Sequence, residues 1–240
     1  MRFLVTRPDP GAAETARQLA GLGHEALVDS LLKVVFDADV PISLEGASAV
    51  LVTSANGIRA LGRRADFAAI AALPLFAVGA TTASLAREAG FAEVFSADGA
   101  VDDLVDLISS HLDPACGTLV YAAGAERTGD LDGKCRAKGF SVVVAEVYRT
   151  VVKTAFDPAT IAGFRTKTLD GALIYSARTA DAFVAAVRQN SLAEALKTLP
   201  LYAISAKAAA PLVAAGFEKI AIPAHPDGAD LLGLLPKNSD

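Results

Sequence analysis

The sequence predicts an α/β protein of two similar parallel-sheet domains, with helices on both faces of each sheet and a two-stranded β-ladder as the hinge that joins them. Three observations predict this. First, LPLFAVGATTASLAREAGFAEVFSAD, Leu73 to Asp98, reads as strand, glycine turn, helix, helix stop and strand, and LPLYAISAKAAAPLVAAGFEKIAIPAH, Leu199 to His225, repeats it. Leu-Pro-Leu at 73 returns at 199 and Ala-Gly-Phe at 89 returns at 215, a constant offset of 126. A repeat over half the chain length means two copies of one supersecondary plan. Second, short apolar strands alternate with helical segments almost throughout, the pattern of parallel sheets covered by helices. Third, no linker rich in Pro, Ser or Gly separates the halves. The extended runs Leu31–Phe36 and Glu146–Val152 are the candidate connections, and they are expected to pair with each other.

Taken in order, Phe3–Thr6 is a strand broken by Arg7-Pro8, and Gly11–Leu22 a helix ended by Gly23. Glu25–Val28 is the next strand, Leu31–Phe36 a longer extended run, and Asp37–Gly46 a loop. Val50–Thr53 is a strand that turns at Ser54-Ala55-Asn56 into a helix reaching about Leu61. Leu75–Val78 leads through Gly79 into a helix that Thr81 or Thr82 could cap, ended by Gly90. Val94-Phe95 is a brief strand, and Val101, Leu104, Val105, Ile108 and Leu112 share one helical face. Gly117–Ala122 opens a second copy of the beginning of the chain, with a turn at Gly124, a helix over Leu131–Lys138 and a stop at Gly139. Val142–Val152 is extended, and its EVYRTVV echoes SLLKVVF at an offset of 116, Glu146 over Ser30 and Arg149 over Lys33. Pro158 opens a helix, a position that suits proline. Ala172–Tyr175, Leu201–Ser205 and Lys219–Ile222 are strands. Arg178–Arg188, Lys207–Ala215 and Asp227–Leu235 are helices, and a polar tail follows. Gly23, Gly90, Gly139 and Gly216 each stop a helix and precede a Phe or His able to pack back on the last turn.

Composition narrows the function. The 240 residues suit one large domain or two small ones, and the repeat favours two. A net charge of −5 argues against a nucleic-acid partner but leaves room for a small anion in a locally basic pocket. The apolar run after Met1 is too short for a signal peptide, and no segment has the apolar length of a membrane span. Cys116 and Cys135 are isolated and read as reduced thiols of a cytoplasmic protein. His24, His111 and His225 are scattered, so no metal site is expected.

Ligands of open parallel sheets bind beyond the carboxyl ends of the strands. Those ends here carry Thr6-Arg7, Thr53-Ser54-Asn56, Gly79-Thr81-Thr82, Gly124 with Arg127, Ser176-Arg178 and Ser205-Lys207, while carboxylates look nearly absent. Each loop opens a helix whose first N–H groups favour anions. Such a rim suits a ligand with several carboxylates or phosphates. The plainer reading is that the Ser and Thr side chains cap helices. GxxxxGK[ST], GxGxxG after the first strand and GxSxG are all missing, and no Ser-His-Asp set is evident. Few groups are placed for acid–base work, which points to a reaction dominated by positioning. Tyr148, in the extended run, is either a phenol facing a cleft, able to donate a proton or hydrogen bond, or an aromatic plug between domains.

VTRP at Val5–Pro8, VTSAN at Val52–Asn56, VGATTA at Val78–Ala83, VYRT at Val147–Thr150 and YSARTADAF at Tyr175–Phe183 together resemble the uroporphyrinogen-III synthase family, in order and spacing along essentially the whole chain. The resemblance implies a discontinuous first domain, residues 1–34 and 152–240, and an inserted second domain, residues 35–151. It implies a monomer that needs no cofactor. The implied substrate is hydroxymethylbilane, a linear tetrapyrrole whose rings bear acetate and propionate, cyclised to uroporphyrinogen III with loss of water and inversion of ring D. Tyr148 matches the family tyrosine proposed to assist departure of the hydroxyl. Thr53, Ser54, Asn56, Thr82 and Ser176 match positions where backbone N–H groups grip carboxylates. One turn departs: where the family often has Gly-x-Thr-x, this chain has Ser205-Ala206-Lys207-Ala208, a charge in place of a hydroxyl. A rival of another class is a two-domain binding or regulatory module that holds a polyanionic metabolite without chemistry.

Overall fold

Strands and helices alternate along the chain in a computed structural model that describes residues 1–97, 100–127 and 129–236. Asp98, the last residue of the first repeat copy, and residues 237–240 of the polar tail lie outside the described residues. The chain begins β1 (Arg2–Val5), α1 (Gly11–Gly21), β2 (Glu25–Val28), β3 (Leu32–Phe36), β4 (Ala47–Val52), α2 (Ala55–Leu61), α3 (Phe67–Ala71). It continues β5 (Leu75–Val78), α4 (Ala80–Ala89), β6 (Val94–Ala97), α5 (Val101–His111), β7 (Thr118–Gly124), α6 (Leu131–Ala137), β8 (Ser141–Val152), α7 (Pro158–Arg165). It ends β9 (Gly171–Ile174), α8 (Ala177–Gln189), α9 (Ala193–Leu196), β10 (Leu201–Ala203), α10 (Ala206–Ala214), β11 (Ile220–Ala221), α11 (Gly228–Gly233).

The chain divides into two compact units, one of Met1–Lys33 with Val151–Asp240, the other of Val34–Thr150. The first holds a sheet in the order β11-β10-β9-β1-β2, with parallel pairing throughout. Alternation along β1 sends Leu4 to one face and Phe3 and Val5 to the other. Leu4 joins Phe156, Phe164, Phe183 and Leu212, while Phe3 and Val5 join Leu19, Leu173 and Leu231. Phe183 meets Phe156, Phe164 and Phe217 at centroid distances of 5.4, 6.5 and 5.8 Å. Burying each of the Phe156, Phe164 and Phe183 rings contributes about 1.5–3 kcal/mol.

The second unit is built on the sheet order β3-β8-β7-β4-β5-β6, whose β8 to β6 pairs are parallel. Val50 and Val52 face one layer with Ile58, and Ala49 and Leu51 face the other with Phe76 and Leu104. Its 37–46 segment lacks regular structure and is held by Arg64, which donates to the carbonyls of Ala38 (2.9 Å) and Val40 (2.6 Å) and to both oxygens of Asp66 (2.8 Å each). β3 lies beside β8. Asp37 N–H donates to Val147 at 2.8 Å and Lys153 N–H to Leu31 at 2.8 Å, so the numbering runs in opposite senses, as an antiparallel pair requires.

The repeat survives in three dimensions. β5 pairs β6 with Leu75 opposite Val94, and β10 pairs β11 with Leu201 opposite Ile220, each residue displaced by the same 126. The four predicted helix stops also share one geometry. Gly23, Gly90, Gly139 and Gly216 have φ of 76°, 109°, 94° and 86°. The N–H of the next residue, His24, Phe91, Phe140 or Phe217, closes on the carbonyl five residues back. Residues before the glycine wind the helix, and a left-handed step that only glycine makes cheaply turns the chain out of it.

Three short elements escape the sequence pattern: α3, α9 and a 3₁₀ turn at Pro114–Cys116. Each is too brief to show a helical period. One expected cap is absent. Gly79, not Thr81 or Thr82, is the N-cap of α4, with φ 82° and no side-chain bond. Thr82 is buried and Thr81 exposed within the first turn, so neither hydroxyl stands at the cap position.

Candidate functional site

In the first unit, the carboxyl ends of β1, β9 and β10 present Arg7, Ser176-Arg178 and Ser205-Lys207. Both serines are caps. Ser176 Oγ accepts from Thr179 N–H at 3.1 Å, and Ser205 Oγ from Ala208 N–H at 3.2 Å. Arg178 and Lys207 follow as exposed second residues of α8 and α10. The Arg7 guanidinium carbon lies 4.2 Å from the centroid of the Tyr175 ring.

In the second unit, the ends of β4, β5 and β7 bring Thr53, Ser54 and Asn56, then Gly79, Thr81 and Thr82, then Gly124 and Arg127, to one edge of the sheet. Ser54 caps α2 through Asn56 N–H at 3.2 Å, and Asn56 Oδ1 accepts from Arg59 at 2.9 Å. Thr53 Oγ1 is 3.0 Å from the hydroxyl of Tyr121. Arg127 lies 3.8 Å from Glu146.

Tyr148 is partnered across the sheet by Gly124, just past a register shift after Ala123. Its ring lies over that glycine: a Cβ there would sit 2.7 Å from Cζ, 2.8 Å from Cε2 and 2.9 Å from the hydroxyl. The half-buried ring packs against the core layer of Val50 and Ile58. Its hydroxyl makes no hydrogen bond among the described residues, unlike those of Tyr121 and Tyr175. Tyr121 is 3% exposed, and burial pushes its phenol above the usual 10.0, against the pull of its Thr53 hydrogen bond.

One expectation changes. Strand ends are not nearly free of carboxylates. Asp29, just past β2, is buried, takes Lys153 Nζ at 2.6 Å and accepts from Asp157 N–H at 2.8 Å. Glu126, past β7, accepts from Thr150 N–H at 3.2 Å. Both carboxylates are engaged in holding the chain, which sequence spacing does not show. The acid-free character belongs to α2, α4, α8 and α10, which have no acid in the first turn or at the N-cap; α3 and α7 also lack a first-turn acid but start at Asp66 and Asp157, and α1, α5, α6 and α11 carry an acid in the first turn. These four follow the adjacent strands β4 and β5 in one unit and β9 and β10 in the other, and each pair of helices packs side by side. Every unit therefore offers two neighbouring helix N-termini free of negative charge, a setting that favours anions.

Tyr121 and Tyr175 are site neighbours that sequence reasoning did not single out. Their signal is a phenol in or just after an otherwise apolar strand, Tyr121 in the middle of β7 and Tyr175 directly past β9. Tyr121 is opposite Leu51, and alternation puts Thr53 on the same face, within reach.

The family model described as uroporphyrinogen-III synthase HemD matches residues 13–233. Among solved structures, a uroporphyrinogen-III synthetase from Helicobacter pylori is similar at a TM-score of 0.63 and 16% identity, with 98% of each chain covered. A mutant uroporphyrinogen III synthase from Thermus thermophilus is 20% identical over 97% of each chain, with a TM-score of 0.49. No curated protein sequence matches the chain. The Helicobacter likeness is one of fold, and the family match, which spans nearly the whole sequence, carries the assignment. The protein belongs to the uroporphyrinogen-III synthase family, the cyclising lyases of haem biosynthesis.

Proposed function

We propose that the protein converts hydroxymethylbilane to uroporphyrinogen III, using its strand-end rims to hold the substrate's carboxylates. The carrying observation is the family match over 13–233. The paired acid-free helix N-termini of each unit supply the chemistry it needs. Arg178 and Lys207 in first turns oppose the helix dipole, an arrangement that an incoming carboxylate relieves.

The reaction needs little from side chains. Departure of the terminal hydroxyl, protonated to water, leaves an electrophilic azafulvene. The substituted carbon of ring D attacks it, and the spiro intermediate opens and recombines with that ring reversed. Free hydroxymethylbilane also closes, without inversion, so the protein's task is to select one geometry. Fixing reacting groups can supply up to about 7–11 kcal/mol of such preference. Tyr148 is the proposed donor to the departing hydroxyl, since its own hydroxyl is held near the rim by Gly124 and unpaired among the described residues. Arg7, Thr53, Ser54, Asn56, Gly79, Thr81, Thr82, Gly124, Arg127, Ser176, Arg178, Ser205 and Lys207 are proposed to contact substrate, the cap serines through the helix N–H groups they order.

Among the described residues no helix is long and apolar enough to cross a membrane. The two cysteines are unpaired, which suits a reducing compartment such as the cytoplasm. We place the protein there as a monomer without a nucleic-acid partner, in keeping with its net charge of −5. The test is product analysis with fresh hydroxymethylbilane. Uroporphyrinogen III formed faster than spontaneous closure is the expected result. Only the uninverted isomer, at the spontaneous rate, refutes the assignment.

A further inference from the structure

Arg7 stands at the end of β1, between β9 and β2, and is fixed more firmly than a surface arginine. Its carbonyl accepts from Ser30 Oγ at 2.8 Å. Its guanidinium rests on the Tyr175 ring at 4.2 Å. Gly11, the first residue of α1, leaves room for it: a Cβ there would fall 2.4 Å from Nε, 2.5 Å from Cζ and 2.6 Å from Nη2. Tyr175 is itself tied, its hydroxyl accepting from buried Thr15 at 3.2 Å. Yet among the described residues no carboxylate pairs with Arg7, whereas Arg2, Arg17, Arg64, Arg127 and Arg136 all have one. None of its guanidinium N–H donors bonds to the described protein, although an arginine carries five.

A half-buried cation with its donors unused is costly unless something completes it. An aromatic face recovers part of that cost but takes up none of the donors. What fits the planar fork is a carboxylate held by two parallel N–H bonds.

We propose that Arg7, held by Tyr175 and Gly11, is a preorganised subsite for one acetate or propionate of the linear tetrapyrrole, with Tyr175 as its positioning residue. This rests on the substrate class proposed above. A merely structural Arg7 would affect folding stability alone. A subsite affects the affinity for hydroxymethylbilane.

The test is steady-state kinetics with hydroxymethylbilane, with thermal midpoints read in parallel. Arg7→Gln is expected to raise KM about tenfold, the loss of one charge-assisted contact, with a smaller change in kcat. Tyr175→Leu removes the ring face and reproduces that rise, while Tyr175→Phe keeps the face and recovers most of it. The double variant Arg7→Gln with Tyr175→Leu shows no further rise, because both act through one group. Arg7→Lys, which keeps the charge but loses the fork, gives an intermediate KM and serves if Arg7→Gln fails to fold. Wild-type protein that forms uroporphyrinogen III while Tyr175→Leu lowers the thermal midpoint and leaves KM unchanged overturns the subsite alone. So does a double variant whose KM effects multiply. Wild-type protein that forms only the uninverted isomer removes the functional assignment as well.

Discussion

Gly124→Ala tests the placement of Tyr148, and combining it with Tyr148→Phe separates that effect from a direct contact of Gly124 with substrate. Gly124 lies in β7 without a positive φ, so alanine fits the backbone, and any effect comes from the added methyl. That methyl would meet Tyr148 at 2.7–2.9 Å over Cζ, Cε2 and the hydroxyl. Carbon atoms rest at about 3.5–4.0 Å, so the ring must move by roughly 1 Å. A displacement of that size at a reacting group can cost about 10²-fold in rate. The hydroxyl of hydroxymethylbilane leaves readily without help, so the loss expected here is smaller, about tenfold in kcat. The assay is the initial rate of uroporphyrinogen III formation, with the isomer ratio and a urea unfolding curve measured alongside. Tyr148→Phe should slow turnover to a similar degree and leave the fold intact. Adding Gly124→Ala to Tyr148→Phe should cost little more, since no hydroxyl remains to be misplaced. Wild-type rates for Gly124→Ala, or a double variant in which the losses multiply, refute the reasoning.

Two other expectations concern buried groups. Burial opposes the charge on Lys153, but hydrogen bonds to Asp157 and Asp29 outweigh it and raise its pKa above 10.5. The stability this contributes is fully present below pH 10.5 and lost as pH rises through the higher folded value. Asp29→Asn, which leaves Lys153 with Asp157 and partial solvent, should cost about 2 kcal/mol by urea unfolding at neutral pH, less than for a fully buried pair. It should also flatten the alkaline fall, and an unchanged profile would remove the pair from that account. Burial, reinforced by Asp132 and opposed by Arg136, pushes the Cys135 thiol up to about 11, while Cys116 is exposed. Iodoacetamide at pH 8 should therefore label Cys116 in the folded protein and reach Cys135 only in denaturant. Equal labelling of both in the native state would contradict the burial.

Much of the fold was legible because the signals are local. The glycine after α4 and the Phe that follows it are read within one helix turn, and so are the corresponding residues after α1, α6 and α10. The β5–α4–β6 repeat was legible because two copies of one plan keep one register. The serines could be read as caps or as ligands from sequence, and the structure engages Ser54, Ser176 and Ser205 as caps. Their neighbours Arg178 and Lys207 keep the interest in anions at the same helix starts. α3 and α9 were missed because a single turn carries no period.

Local sequence suffices for the alternation of strands and helices, the duplicated unit and the residues that end each strand, because these depend on neighbours within a few positions. Long-range packing is what makes Tyr121 hold Thr53, Asp29 take Lys153 from 124 residues away, and Tyr148 lie on Gly124. The same packing has Tyr175, bound to Thr15 at a separation of 160, carry Arg7. Such pairs form where strand order and register bring distant segments together, and a hydrophobic period records which face a residue takes but not which strand lies beside it.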